Sequence, residues 1–320
     1  MEYNIKDRWL KTIERKKRDN TVMSYRKNID HLYSYFSQKF NIDNEIEMIK
    51  RINNDDMEDF IEGLEKKFTK STINNRIATY NLFFEYCKDG KGIITHNPMG
   101  VIKQFSPKEL VDETREKYIP TLKEVRDLIN ACRIRNKGDR NFEFISVRNA
   151  TILAILSSTG LRPNELLNAK FEYLEEVGGA LILTIPKENC KTHIEKRVPI
   201  CGLALKLYKE YMLEKEINEL NSIEGYIFIS TKGKKINTKD LNLILNKLVK
   251  LTNIKVPKDM QFSIYCFRHF TACTLVEKKE SEYMINNLLG WSNKNNSMLN
   301  RYSNHIEFYD KEKIRMCSYL

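Results

Sequence analysis

The first hundred residues carry apolar positions three and four apart, the spacing of amphipathic helices. Three such stripes lie in this region: Tyr25, Ile29, Leu32 and Phe36; Met57, Phe60, Ile61 and Leu64; and Ile73, Ile77, Tyr80 and Phe84. Asn97-Pro98 ends the pattern, because proline and the residue before it are unfavourable in a continuing helix. The sequence therefore predicts a helical first domain over residues 1–105.

A polar and charged stretch containing Pro107 follows, which is typical of a linker, and we place that linker at 106–117. A second domain is predicted over 118–320, and it opens with a helix-capping box at 121–124.

The second domain mixes helical periodicity with short β-rich runs. Residues 150–156 are apolar on every side, which predicts a buried helix. The runs 180–185 and 196–200 flank a polar turn at 186–195 and predict a β-hairpin. Further helical patterns occupy 203–218, 239–251, 263–278 and 281–289. The predicted fold class is mainly α with a small β-sheet.

The chain is basic, with 54 lysines and arginines against 43 acidic residues and a net charge of +11. Such an excess favours a polyanionic partner, either nucleic acid or an anionic membrane. No apolar run is long enough to span a bilayer, and the N-terminus lacks a secretion-signal pattern. The seven scattered cysteines fit reduced thiols. We therefore expect a cytoplasmic protein and favour nucleic acid, with an ordinary basic enzyme left as the alternative.

One turn in the second domain has the features of an anion site. Gly160 can end the buried helix in a left-handed conformation, and Pro163 suits the first turn of a new helix. Arg162 would then lie at a helix N-terminus, where backbone N–H groups and the helix dipole favour an anion. This predicts a phosphate site, although a surface arginine at an ordinary helix corner fits equally well.

Other candidate residues recur along the second domain. Lys191 lies on the predicted hairpin, and Tyr265 and Arg268 are three apart on one helix face. Trp291 follows a glycine, and Tyr302 comes eleven residues later. Each of these residues taken singly also fits an ordinary packing or surface role.

In this order, the motifs resemble those of the tyrosine recombinase (phage integrase) family over essentially the whole chain. Residues 158–166 resemble the first arginine box of the family, with Arg162 as a catalytic arginine and Glu165 as its supporting acid. Residues 190–199 resemble the hairpin with the catalytic lysine, since Lys191 stands eight residues before the strand's proline.

The remaining motifs continue the resemblance. Arg268-His269 is similar to the second arginine box, with His269 as a supporting residue, and 289–291 is similar to the third box, where histidine or tryptophan is accepted at the position of Trp291. Tyr302 falls at the position of the nucleophile, and its spacing from Trp291 resembles archaeal and archaeal-virus members. The helical N-terminal region is similar to the family's core-binding (SAM-like) domain.

The chain departs from the family pattern at Tyr265, where the second box commonly begins with histidine. A phenol with an ordinary pKa near ~10 is a hydrogen-bond donor at neutral pH and not a general base. His269 would point about 100° away from Arg268 around the helix, which makes it a poor substitute. We therefore expect Tyr265 to hydrogen-bond the phosphate or to pack.

The resemblance implies a site-specific DNA recombinase that cleaves and rejoins double-stranded DNA through a covalent 3′-phosphotyrosine. The two arginines and the Trp291 indole would stabilise the phosphate charge, and Lys191 would protonate the departing 5′-oxygen. The family pattern requires no metal, no ATP and no other cofactor. It also implies self-association into a tetramer on two DNA sites, and no association with a membrane.

Other functions, a metal site and other nucleophiles also fit the sequence. A DNA-binding protein of the same fold that has lost cleavage, a type IB topoisomerase-like enzyme and a hairpin resolvase all fit the motifs. Cys190-x-x-His193 and Cys266-x-x-His269, with Cys273 nearby, superficially resemble paired zinc half-sites. Tyr283 and Tyr309 are further candidate nucleophiles.

Overall fold

The structure is a computed structural model, and it describes residues 4–111, 116–134 and 141–291. Contacts divide the chain into two compact units, Met1–Thr114 and Arg115–Leu320, each with its own hydrophobic core. No helix among the described residues is long and apolar enough to cross a membrane.

The first unit is helical, as the apolar stripes predict. Its helices are α1 (Ile5–Glu14), α2 (Asp19–Phe40), α3 (Glu45–Arg51), α4 (Asn54–Glu65), α5 (Lys70–Glu85), which continues into a π-turn (Tyr86–Gly90), and α6 (Pro107–Val111). Aromatic side chains fill the core, with the Trp9 and Phe83 rings edge-to-face at 5.4 Å between centroids. Glu45 accepts hydrogen bonds from the backbone N–H groups of Ile5 and Lys6, so α3 caps the start of α1.

The segment predicted as a linker contains α6. The Glu109 carboxylate in this helix accepts hydrogen bonds from the backbone and hydroxyl of Ser106, which secures its first turn. The boundary between the two units falls just beyond α6, between Thr114 and Arg115.

The second unit is mainly helical with two small sheets, which confirms the predicted fold class. Its helices are α7 (Leu122–Ala131), α8 (Phe142–Thr159), α9 (Pro163–Leu167), α10 (Gly202–Ile217), α11 (Thr238–Leu251), α12 (Cys266–Glu277) and α13 (Glu282–Leu289), with a 3₁₀ turn at Phe171–Tyr173. Its strands are β1 (Glu116–Lys117), β2 (Leu174–Val177), β3 (Ala180–Ile185), β4 (Lys196–Ile200) and β5 (Met260–Gln261).

Helix α8 is the centre of the second unit. It packs against α7, α10 and α12, and its residues 150–156 are all buried, as their apolar composition predicts. The buried Arg148 guanidinium donates to the backbone carbonyl of Ile229 at 2.9 Å, which ties α8 to the apolar segment 226–229.

The predicted hairpin forms with the predicted bounds. Strands β2, β3 and β4 make an antiparallel sheet, in which Ile185 pairs with Lys196 at the end nearest the connecting turn. Buried and exposed positions alternate along β4, so Lys196, Val198 and Ile200 face the core. The sheet thereby places a lysine on the inner face, close to the turn that follows α8.

Candidate active site

The turn between α8 and α9 holds Arg162 and Glu165. Gly160 ends α8 with a φ of +61°, and Pro163 begins α9, as the sequence predicts. The Glu165 carboxylate accepts a hydrogen bond from the Arg162 backbone N–H at 3.0 Å and another from its guanidinium at 2.7 Å. The backbone N–H of Arg162 is therefore already bonded to the Glu165 side chain and does not bind an external anion. An anion bound at this turn would contact the side chain of Arg162.

The same turn is tightly packed by α12 and α13. A Cβ built on Gly160 would overlap the side chain of Leu289 and lie 3.3 Å from that of Thr271. The Thr271 hydroxyl oxygen lies 3.1 Å from the Ser157 carbonyl oxygen at the end of α8 and 2.9 Å from the Phe267 carbonyl oxygen of its own helix. Glycine suits both the left-handed backbone and the close approach, and these contacts pack the Arg162 turn against α12 and α13.

Arg268 on α12 is buried, with 8% of its surface exposed. Its guanidinium donates to the Gly160 carbonyl at 2.6 Å and to the Leu289 carbonyl at 2.6 Å. These carbonyls lie at the C-terminal ends of α8 and α13, where unsatisfied oxygens and the helix dipole favour a cation. The ends of two helices therefore set the orientation of Arg268. One of its acceptors, the Gly160 carbonyl, is only two residues before Arg162 in the sequence.

Trp291 follows α13 directly and packs into the core of the second unit. Gly290 caps the helix with a φ of +62°, and the Arg268 guanidinium carbon lies 5.7 Å from the centre of the Trp291 ring. That separation permits a cation–π interaction. Trp291 is the last described residue, so the predicted nucleophile Tyr302 and the alternative Tyr309 lie outside the described residues.

Lys196 completes the cluster, although none of the sequence motifs includes it as a functional residue. It is 2% exposed, and its ammonium donates to the Glu165 carboxylate. Glu165 thus bridges Arg162 and Lys196, one oxygen accepting from the guanidinium and the other from the ammonium.

The pKa shifts in this cluster follow from burial and close charges. Burial would raise the pKa of Glu165, but Lys196 and Arg162 hold it below its usual value. Burial lowers the pKa of Lys196; Glu165 opposes that shift, while Arg268 and Arg162 add to it. Lys196 therefore lies close enough to both arginines to be affected by their charges, with one carboxylate among the three cations. Their excess of positive charge suits a phosphate group.

Three other predicted residues lie less centrally. Lys191 is exposed in the turn between β3 and β4, and within the described ranges no hydrogen bond or ion pair joins it to Arg162 or Arg268. Tyr265 precedes the first residue of α12 and is 39% exposed. His269 is half-buried on α12 beside Arg268. The structure therefore brings together Arg162, Glu165, Arg268 and Trp291, and leaves these three residues at the margin or on the surface.

The cysteine and histidine pairs do not gather into a metal-binding group. In the part of the chain that the structure describes, no three or more histidine, cysteine or acidic side chains are placed to hold a metal ion. The Cys190 and Cys266 thiols are buried and donate to the backbone carbonyls of Ile185 and Gln261. Tyr283, the other alternative nucleophile, is exposed on α13.

Comparison with known proteins identifies the chain's family. A model of the phage integrase family matches residues 121–307, and a model of the phage integrase N-terminal SAM-like domain matches residues 7–91. The chain is 26% identical over 282 residues to a tyrosine recombinase of Agathobacter rectalis, covering 87% of this chain and 84% of that protein.

Solved structures support the same fold. The XerH site-specific recombinase bound to its palindromic difH substrate, in a post-cleavage complex, matches with a TM-score of 0.66 and 17% identity, over 93% of this chain and 79% of that one. A lambda integrase tetramer bound to a Holliday junction matches with a TM-score of 0.63 and 17% identity, over 90% and 76% of the two chains.

The chain therefore belongs to the phage integrase family. Its class of activity is that of a tyrosine-type site-specific DNA recombinase, and the similarities do not favour the alternatives of a lapsed DNA-binding protein, a topoisomerase or a hairpin resolvase.

Proposed function

We propose that this protein cleaves one strand of duplex DNA at a specific site with Tyr302, and that Arg162 and Arg268 hold the phosphate under attack. The observation that carries the proposal is the hydrogen bond from the Arg268 guanidinium to the carbonyl of Gly160, which is two residues before Arg162. Arginines from two distant parts of the sequence thus converge on one turn. Planar guanidinium groups match phosphate oxygens and stabilise the charge that develops in phosphoryl transfer.

The proposed chemistry needs no group beyond the side chains and the DNA. Tyr302 loses its phenolic proton to the solvent, and its oxygen forms a bond to phosphorus while the bond from phosphorus to the 5′-oxygen breaks, which leaves a 3′-phosphotyrosine. Lys191 donates a proton to the departing 5′-oxygen, and Trp291 supports the phosphate with its indole N–H. Rejoining reverses these steps, with the 5′-hydroxyl of a second strand attacking the phosphotyrosine. The exposed position of Tyr265 at the start of α12 suits a hydrogen bond to the phosphate.

The domain roles and assembly belong to the same proposal. Residues 1–105 form a core-binding domain and residues 118–320 the catalytic domain, supported by the two family-model matches and the two compact units. Double-stranded DNA is the partner, and four copies assemble on two DNA sites. The lambda integrase tetramer on a Holliday junction supports that assembly.

A covalent-adduct assay tests the proposal. The probe is a nicked duplex carrying repeated sequences from the DNA that flanks the gene, after a mobility-shift assay has shown that the protein binds it. We expect an adduct with wild-type protein that survives SDS and disappears on protease treatment. Tyr302→Phe should abolish it, whereas the matched control Tyr283→Phe, which removes an exposed hydroxyl from α13, should retain it.

Two results would contradict the proposal. An adduct that persists in Tyr302→Phe would assign the nucleophile elsewhere, and Tyr309→Phe would then be the next variant to measure. If the wild-type protein formed no adduct on DNA that it binds, the proposed cleavage would be rejected and DNA binding alone would be left as its function.

A further inference from the structure

Lys196 is a buried cation to which the proposed reaction assigns no role. It lies on β4 opposite Ile185, with 2% of its surface exposed, and its ammonium donates to Glu165. Lys191 is on the same hairpin but is exposed in the connecting turn. Lys191 and Lys196 thus have different environments, and of these two only Lys191 is exposed where DNA could meet it.

Glu165 connects Lys196 to the first arginine. One carboxylate oxygen accepts from the Arg162 guanidinium at 2.7 Å; the other accepts from the Arg162 backbone N–H at 3.0 Å and from Lys196. The carboxylate therefore holds both the main chain and the side chain of Arg162. Without Lys196, the second oxygen would keep only the backbone amide, and a buried carboxylate would have one cation instead of two.

The aliphatic stem of Lys196 contacts the segment that leads to Trp291. A Cβ built on Gly290 would overlap the Lys196 Cδ atom and lie 3.2 Å from its Cε atom. The stem therefore fills the space beside the Gly290 backbone. One side chain thus links the hairpin, the Arg162 turn and the end of α13.

We propose that Lys196 is a positioning residue for DNA cleavage, which fixes the Arg162 guanidinium through Glu165 and the place of Trp291 through Gly290. This inference rests on the proposed function of the site. Lys196 is too deeply buried to touch DNA, so its effect reaches the scissile phosphate only through these neighbours. A small displacement of a group that contacts the reacting phosphate is costly, since about 1 Å can lower a rate roughly 100-fold.

The test separates cleavage from binding. Lys196→Met keeps the length of the side chain and removes its charge, and Lys206→Met is the matched control, because Lys206 is exposed on α10. The measurements are the single-turnover rate of adduct formation on the nicked duplex at saturating protein, and the Kd for the same DNA by fluorescence anisotropy. We expect Lys196→Met to lower the cleavage rate by about 100-fold with little change in Kd, and Lys206→Met to cleave like the wild type.

A double variant guards against misfolding and tests the route through Glu165. Removing one partner of a buried ion pair can prevent folding, whereas Lys196→Met combined with Glu165→Gln leaves no unpaired charge in that pair. If Lys196 acts through Glu165, the double variant should be no slower than Glu165→Gln alone, because residues that act as a unit are not additive.

The results that overturn the inference differ from those that overturn the proposed function. A folded Lys196→Met variant that cleaves at the wild-type rate, or rate losses of the two single variants that multiply in the double variant, would show that Lys196 does not position the site through Glu165. An equal loss of DNA binding and of cleavage would show that Lys196 stabilises the fold and does not specifically position the cleavage site. Absence of an adduct with the wild type would instead reject the proposed function.

Discussion

Replacing Gly290 with alanine tests how tightly the turn before Trp291 is packed. Gly290 has a φ of +62°, and a Cβ there would overlap the Lys196 side chain. A left-handed backbone costs an L-residue about 1–2 kcal/mol, and overpacking a filled core costs about 1–3 kcal/mol. We therefore expect Gly290→Ala to lower the free energy of unfolding of the second domain by about 2–5 kcal/mol.

Gly178 provides the matched control for the backbone contribution. Its φ is +59°, and a Cβ built on it would have no heavy atom within 4 Å. Gly178→Ala should therefore cost only the conformational part, about 1–2 kcal/mol. The chain has two tryptophans, Trp9 and Trp291, one in each unit. In a Trp9→Phe background, urea denaturation followed by fluorescence reports the unfolding of the second domain alone.

A Gly290→Ala variant that lost no more stability than Gly178→Ala would contradict the proposed packing of the Gly290 turn. A double variant gives a second check, because Lys196→Ala removes the atoms that the new Cβ would overlap. In that background Gly290→Ala should cost only its backbone contribution, so the coupling energy between the two positions should be about 1–3 kcal/mol. A coupling near zero would show that the overlap relaxes without cost.

Two further predictions concern other groups. Burial and the neighbouring Arg76 lower the pKa of His31 below 6.5, so an NMR titration should give a midpoint below that value, which rises in Arg76→Met; a midpoint at or above 6.5 would contradict this. His31 accordingly contributes stability at neutral pH that is lost as the pH falls through its lowered pKa. Arg268→Met removes the donor to the Gly160 and Leu289 carbonyls, and urea denaturation should show a loss of about 2–6 kcal/mol, at ~1–3 kcal/mol for each group left unsatisfied. A loss below ~1 kcal/mol would mean that other donors replace it.

Local sequence patterns predict the long elements and miss the short ones. The runs 180–185 and 196–200 are β-rich and flank a polar turn, and both strands form with those bounds. The sequence of strand β2, Leu174–Val177, has no β-rich pattern, because two of its four residues are glutamates. The strand is mostly exposed, and it forms through its pairing with β3. The β1–β5 pair, Glu116 with Met260, joins segments far apart in sequence, so no local pattern marks it.

The sequence also contained a signal for Lys196 that motif spacing does not use. Alternation along a strand places Lys196 on the same face as the apolar residues Val198 and Ile200. Because a buried charge is normally paired, a lysine on a buried face predicts a carboxylate nearby. The resemblance to the family hairpin points to Lys191 instead, because the motif is defined by position along the chain and not by the face of the strand that a residue occupies. The two-residue periodicity of 196–200 predicts that Lys196 is buried.

No sequence pattern predicts the contacts that hold the Arg268 guanidinium in place. Its two partners are backbone carbonyls, and their positions depend on how the ends of α8 and α13 pack around Gly160 and not on which side chains lie nearby. Arg162, by contrast, is held by Glu165 three residues later, a spacing visible in the sequence. Both guanidinium groups are therefore oriented before any phosphate arrives, and a site organised in advance has little reorganisation to undergo during the reaction. In the proposed reaction, changes to these supports should lower the rate of cleavage more than the affinity for DNA, because proteins generally draw much of their affinity for duplex DNA from phosphate contacts spread along it.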